Sequence, residues 1–518
     1  MRFYRAVAAV VFFTAAGLQA ASAQTDLEPQ QGAQPKSLTA KAARSSSPSR
    51  SSPQSQSGAP NSSAEAKSNS GTGNGETAAK KEKKEEHEPA DPDTGTSTLS
   101  TETLGLLPNP YQRRGVKFSL SYVADALSNV TGGARQGGVF EGRLNAAVDL
   151  DLAKALGLSG LSFHANAFAI HGQALSRDYI GNLLPVSSLE AVATIRLYEA
   201  WFEQKFWNDK VSVRAGQLGA DAEFMTSQYT VPFISTTYGW PGIFALDMPS
   251  GGPAPPLAAI GARVKANVND NVTLLGAVFD GNAAGPGTGN PEWRDLYGLN
   301  FRVSDPPLLI GEAQYAYNQE KTSPGLPGTV KLGGWYHAGL FDDQRFASNG
   351  LSQADPNAAP SPALLRGNFG IYSVFEQLLL AFAGKESPRG IGIFARVSGS
   401  PDDRNLISFY ADAGIVATGP FASRPNDQMG LAVAYAQISD QARALDRDFE
   451  ILDHDPRPVR SAETLITGSY LAEIRKGWSV VPTLQYVINP GGGYVTEAGV
   501  AKPVKDAVVI GIRTILKF

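Results

Sequence analysis

The 518-residue sequence contains no cysteine. A disulfide framework and a thiolate metal site are therefore both excluded, and the stability of a chain this long must come from hydrogen-bonded ladders and packing. Histidine is scarce, with five in all, and none falls in an H-E-x-x-H or comparable ligand spacing. A catalytic metal is not expected. The glycines between Gly132 and Gly138 lack the Gly-Lys-Ser/Thr ending of a phosphate loop and no helical pattern follows them, and no serine and histidine pair stands out for ester hydrolysis. The expectation is that the protein is not an enzyme and holds no cofactor. A formal net charge of −4 argues against a general nucleic-acid partner. Beyond the first residues no uncharged apolar run approaches the roughly 20 residues that a membrane-spanning helix needs.

Those first residues read as an export signal. Arg2 and Arg5 precede an apolar run from Ala6 to Leu18, and Ala21-Ser22-Ala23 forms an A-x-A site before Gln24. Residues 1–23 are expected to be a secretory signal peptide cleaved between Ala23 and Gln24. From Gln24 to about Thr98 the chain is rich in Ser, Pro, Gln, Ala and Gly, with a charge block from Lys80 to Glu88. Such a segment buries too little apolar area to offset its ordering entropy, so 24–100 is expected to be a disordered periplasmic leader. Residues 101–518 form the remaining domain.

There the pattern has period two. Val116, Phe118, Leu120 and Tyr122 alternate with Lys117, Ser119 and Ser121, and Leu144, Ala146, Val148 and Leu150 alternate with Arg143, Asn145, Asp149 and Asp151. Ile260 to Asn267, Tyr297 to Val303, Ile391 to Val397 and Ile407 to Ile415 repeat the theme, separated by turns such as Asn269-Asp270-Asn271 and Pro401 to Asn405. Hairpins follow one another with no helical spacer. The chain closes on Val508, Ile510, Ile512, Leu516 and Phe518 along one strand face. An outer-membrane barrel needs such a last strand, since it must pair with the first and present an apolar face to lipid. Phe518 is then a candidate assembly signal for the barrel-assembly machinery. At roughly ten residues per tilted strand, the expected fold is all-β, a transmembrane antiparallel β-barrel of about 16 strands with short periplasmic turns and longer extracellular loops. Its polar inward faces suit a water-filled lumen.

Alternation places Arg143, Asp149, Arg214, Arg263, Arg302, Arg396, Asp412, Gln485 and Arg513 on that lumen face. Inward charges more often form a general electrostatic ladder than solute contacts, and both readings stand at this point.

Several blocks resemble the carbohydrate-selective outer-membrane porins of the OprB type. They are Arg196-Leu197-Tyr198-Glu199-Ala200-Trp201, Val211 to Gln217 (VSVRAGQ) with Asp221 and Glu223-Phe224, Gly392 to Asn405 (GIFARVSGSPDDRN), Arg424 to Tyr435 (RPNDQMGLAVAY), Pro482 to Gly492 (PTLQYVINPGG) and Val509 to Phe518 (VIGIRTILKF). Together they span most of residues 110–518. The opening Leu106 to Arg114 (LLPNPYQRR) departs from the family's Trp- and Gly-bearing start. The resemblance implies passive uptake of small sugars through a constricted polar pore in the outer membrane of a Gram-negative bacterium. It adds Arg196, Glu199, Trp201, Asp221 and Glu223 to the pore candidates. Alternation is broken from Leu197 to Glu203, so Glu199 and Trp201 are open to either face, and Asp221 and Glu223 could equally cap a loop. Motif and alternation agree at Arg214 and Arg396. Outer-membrane lipid is the expected surroundings, and a homotrimer is suggested by analogy with other porins. The alternatives are a barrel for organic acids or general diffusion, and a secreted glycan-binding β protein.

Overall fold

The computed structural model describes residues 102–518, apart from 321, 385, 386, 388, 453, 455, 456, 498 and 499. The expected signal peptide, its Ala23/Gln24 cleavage site and the leader lie outside the described residues.

Among the described residues, eighteen strands follow in chain order. They are β1 (Val116–Gly133), β2 (Gly137–Asp151), β3 (Leu161–His171), β4 (Thr194–Phe206), β5 (Val211–Leu218), β6 (Ala259–Asn267), β7 (Val272–Phe279), β8 (Leu308–Tyr317), β9 (Gly328–Ala347), β10 (Pro362–Ala381), β11 (Gly390–Gly399), β12 (Ile407–Thr418), β13 (Gln428–Ile438), β14 (Ala462–Arg475), β15 (Trp478–Ile488), β16 (Tyr494–Glu497), β17 (Val500–Pro503) and β18 (Lys505–Lys517). Sixteen form one closed meander, each pairing with its neighbour in sequence, while β16 and β17 make a separate hairpin between β15 and β18. Closure comes from β1 against β18, with Ser121 opposite Lys517 and Asp125 opposite Arg513. The closed sheet has no free strand edge, which is what a sheet in lipid requires.

The outward faces carry Phe140, Ile195, Phe202, Val264, Leu332, Ile371, Leu431, Leu484, Ile510 and Ile512, all exposed. A soluble protein would not present so many large apolar side chains around its whole girth. One rim has short turns, such as 207–210, 268–271 and 476–477, and the other has long loops at 172–193, 219–258, 280–307 and 439–461. Near the C-terminus the amide of Phe518 donates to the Leu120 carbonyl at 2.9 Å, and Leu104 N–H donates to the Lys517 carbonyl at 2.7 Å. The first and last segments thus fasten each other at the short-turn rim.

Three sequence expectations fail. Residues 297–303 alternate like a strand yet lie in the loop between β7 and β8, because Phe279 of β7 pairs directly with Leu308 of β8. Hairpins do have a helical spacer, since Asp440–Leu452 is a helix between β13 and β14. The inward faces, finally, do not meet water alone. The β3–β4 loop (172–193) and the β5–β6 loop (219–258) share one buried apolar cluster with the inner wall. Phe233, Tyr238, Trp240 and Phe244 of the second loop meet wall residues Trp335, Tyr372 and Phe394 in that cluster. Inward glycines make the room. A Cβ on Gly392 would lie 2.0 Å from the Tyr229 ring, and one on Gly430 would lie 2.6 Å from the Phe233 ring.

Candidate functional site

The β5–β6 loop runs around the inside of the wall, and the inward charges of β5 to β18 hold it there. Its Met225 N–H donates to Glu312 at 2.8 Å, Lys331 donates to the Thr226 carbonyl at 2.7 Å, and Ser227 Oγ and Gln228 N–H donate to Glu376, each at 2.6 Å. Arg396 pairs with Asp412 through Nε at 3.0 Å, while Nη1 donates to the Met225 carbonyl at 3.1 Å and Nη2 to that of Thr237 at 2.9 Å. Tyr410 donates to Asp412 at 2.7 Å. At the closing seam, Arg513 donates to Asp125 at 2.7 Å and to the Ile234 carbonyl at 3.3 Å.

The β3–β4 loop is held in the same way. Gln485 donates to the Val186 carbonyl at 2.8 Å, Ser187 donates to Asp125 at 2.6 Å, and Glu463 accepts from Leu183 and Leu184 N–H, both at 2.7 Å. Arg396, Asp412, Gln485 and Arg513 are therefore buried loop anchors and not the water-facing lining that alternation suggests. A buried charge without a partner would be costly, and the loop carbonyls and paired carboxylates remove that cost. The cavity between the two loops and β15 and β18, lined by Asp221, Phe233, Trp240 and Arg513, is about 40 Å³. It has room for a few water molecules and none for a pyranose.

Two further candidates hold the outer loops. Arg196, fully buried, donates to the Leu296 carbonyl at 3.1 Å and the Glu292 carbonyl at 2.9 Å, so it anchors the β7–β8 loop. Arg302 sits in that loop, half-buried, bonded to Asp305 at 2.7 Å. It belongs to no wall strand, which removes the alternation argument that made it a pore candidate.

The remaining candidates converge on β2 to β6 and the start of the β5–β6 loop. The broken alternation in β4 is a bulge, since Asn166 pairs with Glu199 and Ala167 with Leu197, leaving Tyr198 extra. A bulge turns two successive side chains to one face. Tyr198, Glu199 and Trp201 accordingly all point inward and are buried. Glu199 accepts from Gly219 N–H at 2.8 Å, and Tyr198 donates to Asp221 at 3.0 Å, so both grip the loop where it leaves the wall. Burial, and then the charge of Glu199, raise the Asp221 carboxyl to about 7.

One step along, Arg214 and Arg263 stand opposite each other on β5 and β6. Glu223 of the loop reaches Arg214 at 2.8 Å and Arg263 at 2.7 Å, and Glu203 of β4 reaches Arg263 at 2.8 Å and Arg214 at 3.6 Å. Each carboxylate bridges both guanidiniums. Trp201 backs this lattice, with the Arg214 guanidinium 3.8 Å over one ring and His164 stacked at 5.0 Å between centroids. His164 bonds Asp149 at 2.7 Å, and Asp149 is the open member of the row, with 43% of its side chain exposed. Above it, Arg143 lies 4.5 Å over the Phe168 ring, which stacks on Tyr198.

This is a closed barrel narrowed by inward loops, with a polar, charge-paired wall on one side. A family model described as carbohydrate-selective porin, OprB family, matches residues 135–518. The chain belongs to that family. It is an outer-membrane porin for carbohydrate uptake, and both family and fold mark it as a channel. Porin B of Pseudomonas aeruginosa is 25% identical over 423 residues, covering 77% of this chain and 87% of that protein. A putative porin QuiX of Acinetobacter baylyi is 22% identical over 445 residues, covering 79% of this chain and 90% of that one. The high-pH structure of Pseudomonas putida OprB shares the fold with a TM-score of 0.68 at 23% identity, over 79% of this chain and 95% of that chain.

In this OprB-family barrel several site residues escape sequence reasoning. Glu203 and Lys265 have the inward alternation of their strands and could have been named from it. His164 also faces inward, opposite Trp201, and only its pairing with Asp149 reveals it. Glu312, Glu376 and Glu463 are legible as inward charges, though nothing in the sequence says that their partners are loop amides.

Proposed function

We propose that solutes pass along the lumen face of the β2 to β6 wall, past the loop start that Glu223 ties to it, by passive diffusion, and that Asp149, His164, Glu203, Glu223 and Lys265 offer hydroxyl partners along that route. The observation that carries this reading is the uneven filling of the lumen. Loops pack against the wall from β9 to β15, whereas Asp149, Glu203, Lys265 and Gln314, on β2, β4, β6 and β8, keep partial exposure. Sugars need several weak polar contacts, since one deep well would trap them. Trp201 is a support in this scheme and not a stacking surface, because Arg214 and His164 cover its ring.

The long-loop rim is assigned to the cell exterior and the short-turn rim, with Leu104 and Phe518, to the periplasm. Phe518, directly after the closing strand, serves as the signal for the assembly machinery, and a native gel tests whether the barrel is a homotrimer. Liposome swelling tests the function. Monosaccharides are expected to enter faster than amino acids of equal size, and equal rates would refute sugar preference.

A further inference from the structure

Arg214, Arg263 and Lys265 lie side by side on β5 and β6, all facing inward. Three cations on adjacent strands would make an anion site. The two glutamates prevent that. Glu203 and Glu223 contact both guanidiniums at 2.7 to 3.6 Å, and Arg263 Nη1 is taken by Ser212 Oγ at 2.6 Å. The four-residue lattice carries no net charge, and its guanidinium donors are turned toward carboxylates instead of toward the pore. Its most accessible members are the carboxylates, with 12% of the Glu203 side chain and 14% of that of Glu223 exposed, against 8% and 4% for the arginines.

We infer that Glu203 and Glu223 set the charge selectivity of the pore, admitting neutral sugars and discriminating against sugar acids and other small organic anions by masking Arg214 and Arg263. This rests on the route proposed above. It also gives the β5–β6 loop a second role, because Glu223 belongs to it. A loop seated correctly completes the mask, and a loop that lifts away uncovers one face of both arginines.

The test compares the wild-type barrel with Glu203→Gln/Glu223→Gln, each reconstituted as the full mature chain and first shown to be folded by heat-modifiable migration in gels. Liposome swelling with glucose and with glucuronate gives the sugar arm, and reversal potentials in a potassium chloride gradient give the ion arm. Wild type is expected to admit glucose faster than glucuronate. In the double variant the glucuronate-to-glucose ratio and the chloride-to-potassium ratio should both rise roughly three- to tenfold, the size of a Coulomb interaction across a few ångströms of largely aqueous dielectric. Equal entry of glucose and glucuronate through wild type would overturn the inference, as would a folded double variant with unchanged ratios. If the wild-type barrel conducts ions and admits no sugar, it is the underlying route that fails. Where the double variant does not fold, the single Glu203→Gln and Glu223→Gln variants are read by the same ratios, and unchanged ratios in both folded single variants overturn the inference.

Discussion

Replacing Arg396 with methionine should loosen the pore and leave its sugar contacts in place. Arg396 is 1% exposed. Its Nε lies 3.0 and 3.1 Å from the two Asp412 oxygens, and its Nη groups reach the Met225 and Thr237 carbonyls at 3.1 and 2.9 Å. Without it, Asp412 stays buried with the Tyr410 hydroxyl at 2.7 Å as its remaining side-chain donor. Breaking a buried ion pair by removing one partner costs about 3–5 kcal/mol, and each uncapped carbonyl adds about 1 kcal/mol. The closed sixteen-strand ladder absorbs little of that, because the wall pairing of Arg396 with Asp412 runs through backbone hydrogen bonds that the substitution leaves intact. The cost falls on the β5–β6 loop, which loses two of its wall anchors and gains access to released states. Single-channel recording should therefore show larger and noisier conductance, with a smaller preference for sugars over amino acids. Arg396→Met with Asp412→Leu removes both charges and should return much of the wild-type trace. Unchanged conductance and noise with slower sugar entry would refute the anchor reasoning, since that is the behaviour of a side chain lining the route.

Other perturbations report on separate parts of the molecule. Phe518→Asp should reduce folded, heat-modifiable barrel in the outer membrane while secretion across the inner membrane continues, and normal assembly would end the reading of Phe518 as a signal. The Asp221 carboxyl is raised from 3.8 to about 7, so its protonated form is the one the folded loop favours, and its stabilising contribution is full below about pH 4 and lost as pH rises to about 7. Between pH 5 and 7 that loss is about 2 kcal/mol, so channel noise should grow with pH over that window, and Asp221→Asn should flatten the trend. Gly392→Ala puts a Cβ 2.0 Å from the Tyr229 ring, and the displaced tyrosine should change conductance with no loss of folded barrel.

The wall of this barrel is legible in the sequence because two constraints act on it at once. Side chains alternate with period two, and lipid accepts only apolar residues on one of the two faces. Val508, Ile510 and Ile512 satisfy both, and so do Arg143, Asp149, Arg214 and Arg263 on the inner side. Alternation fails where a third partner enters. An inward arginine facing water and one facing a loop carbonyl look the same from within their own strand. Arg396 and Arg214 share a register argument and have different surroundings, one clamped by loop backbone and the other by carboxylates. The distinguishing signal sits in the loop itself. Val231, Phe233, Ile234, Tyr238, Trp240, Ile243 and Phe244 are too apolar for a segment in solvent and show no strand or helix period. They must be buried somewhere, and in a closed barrel whose outer face is taken by lipid, the lumen is the place left for them. The segment 297–303 misleads for the converse reason. Its alternation is real, with Tyr297, Leu299, Phe301 and Val303 all exposed, but β7 and β8 already pair with each other. Its backbone is taken up instead by side contacts, Leu197 N–H to the Tyr297 carbonyl at 3.0 Å and Gln217 to that of Gly298 at 3.1 Å. Strand pattern states what a segment can do, and a free partner edge decides whether it does so.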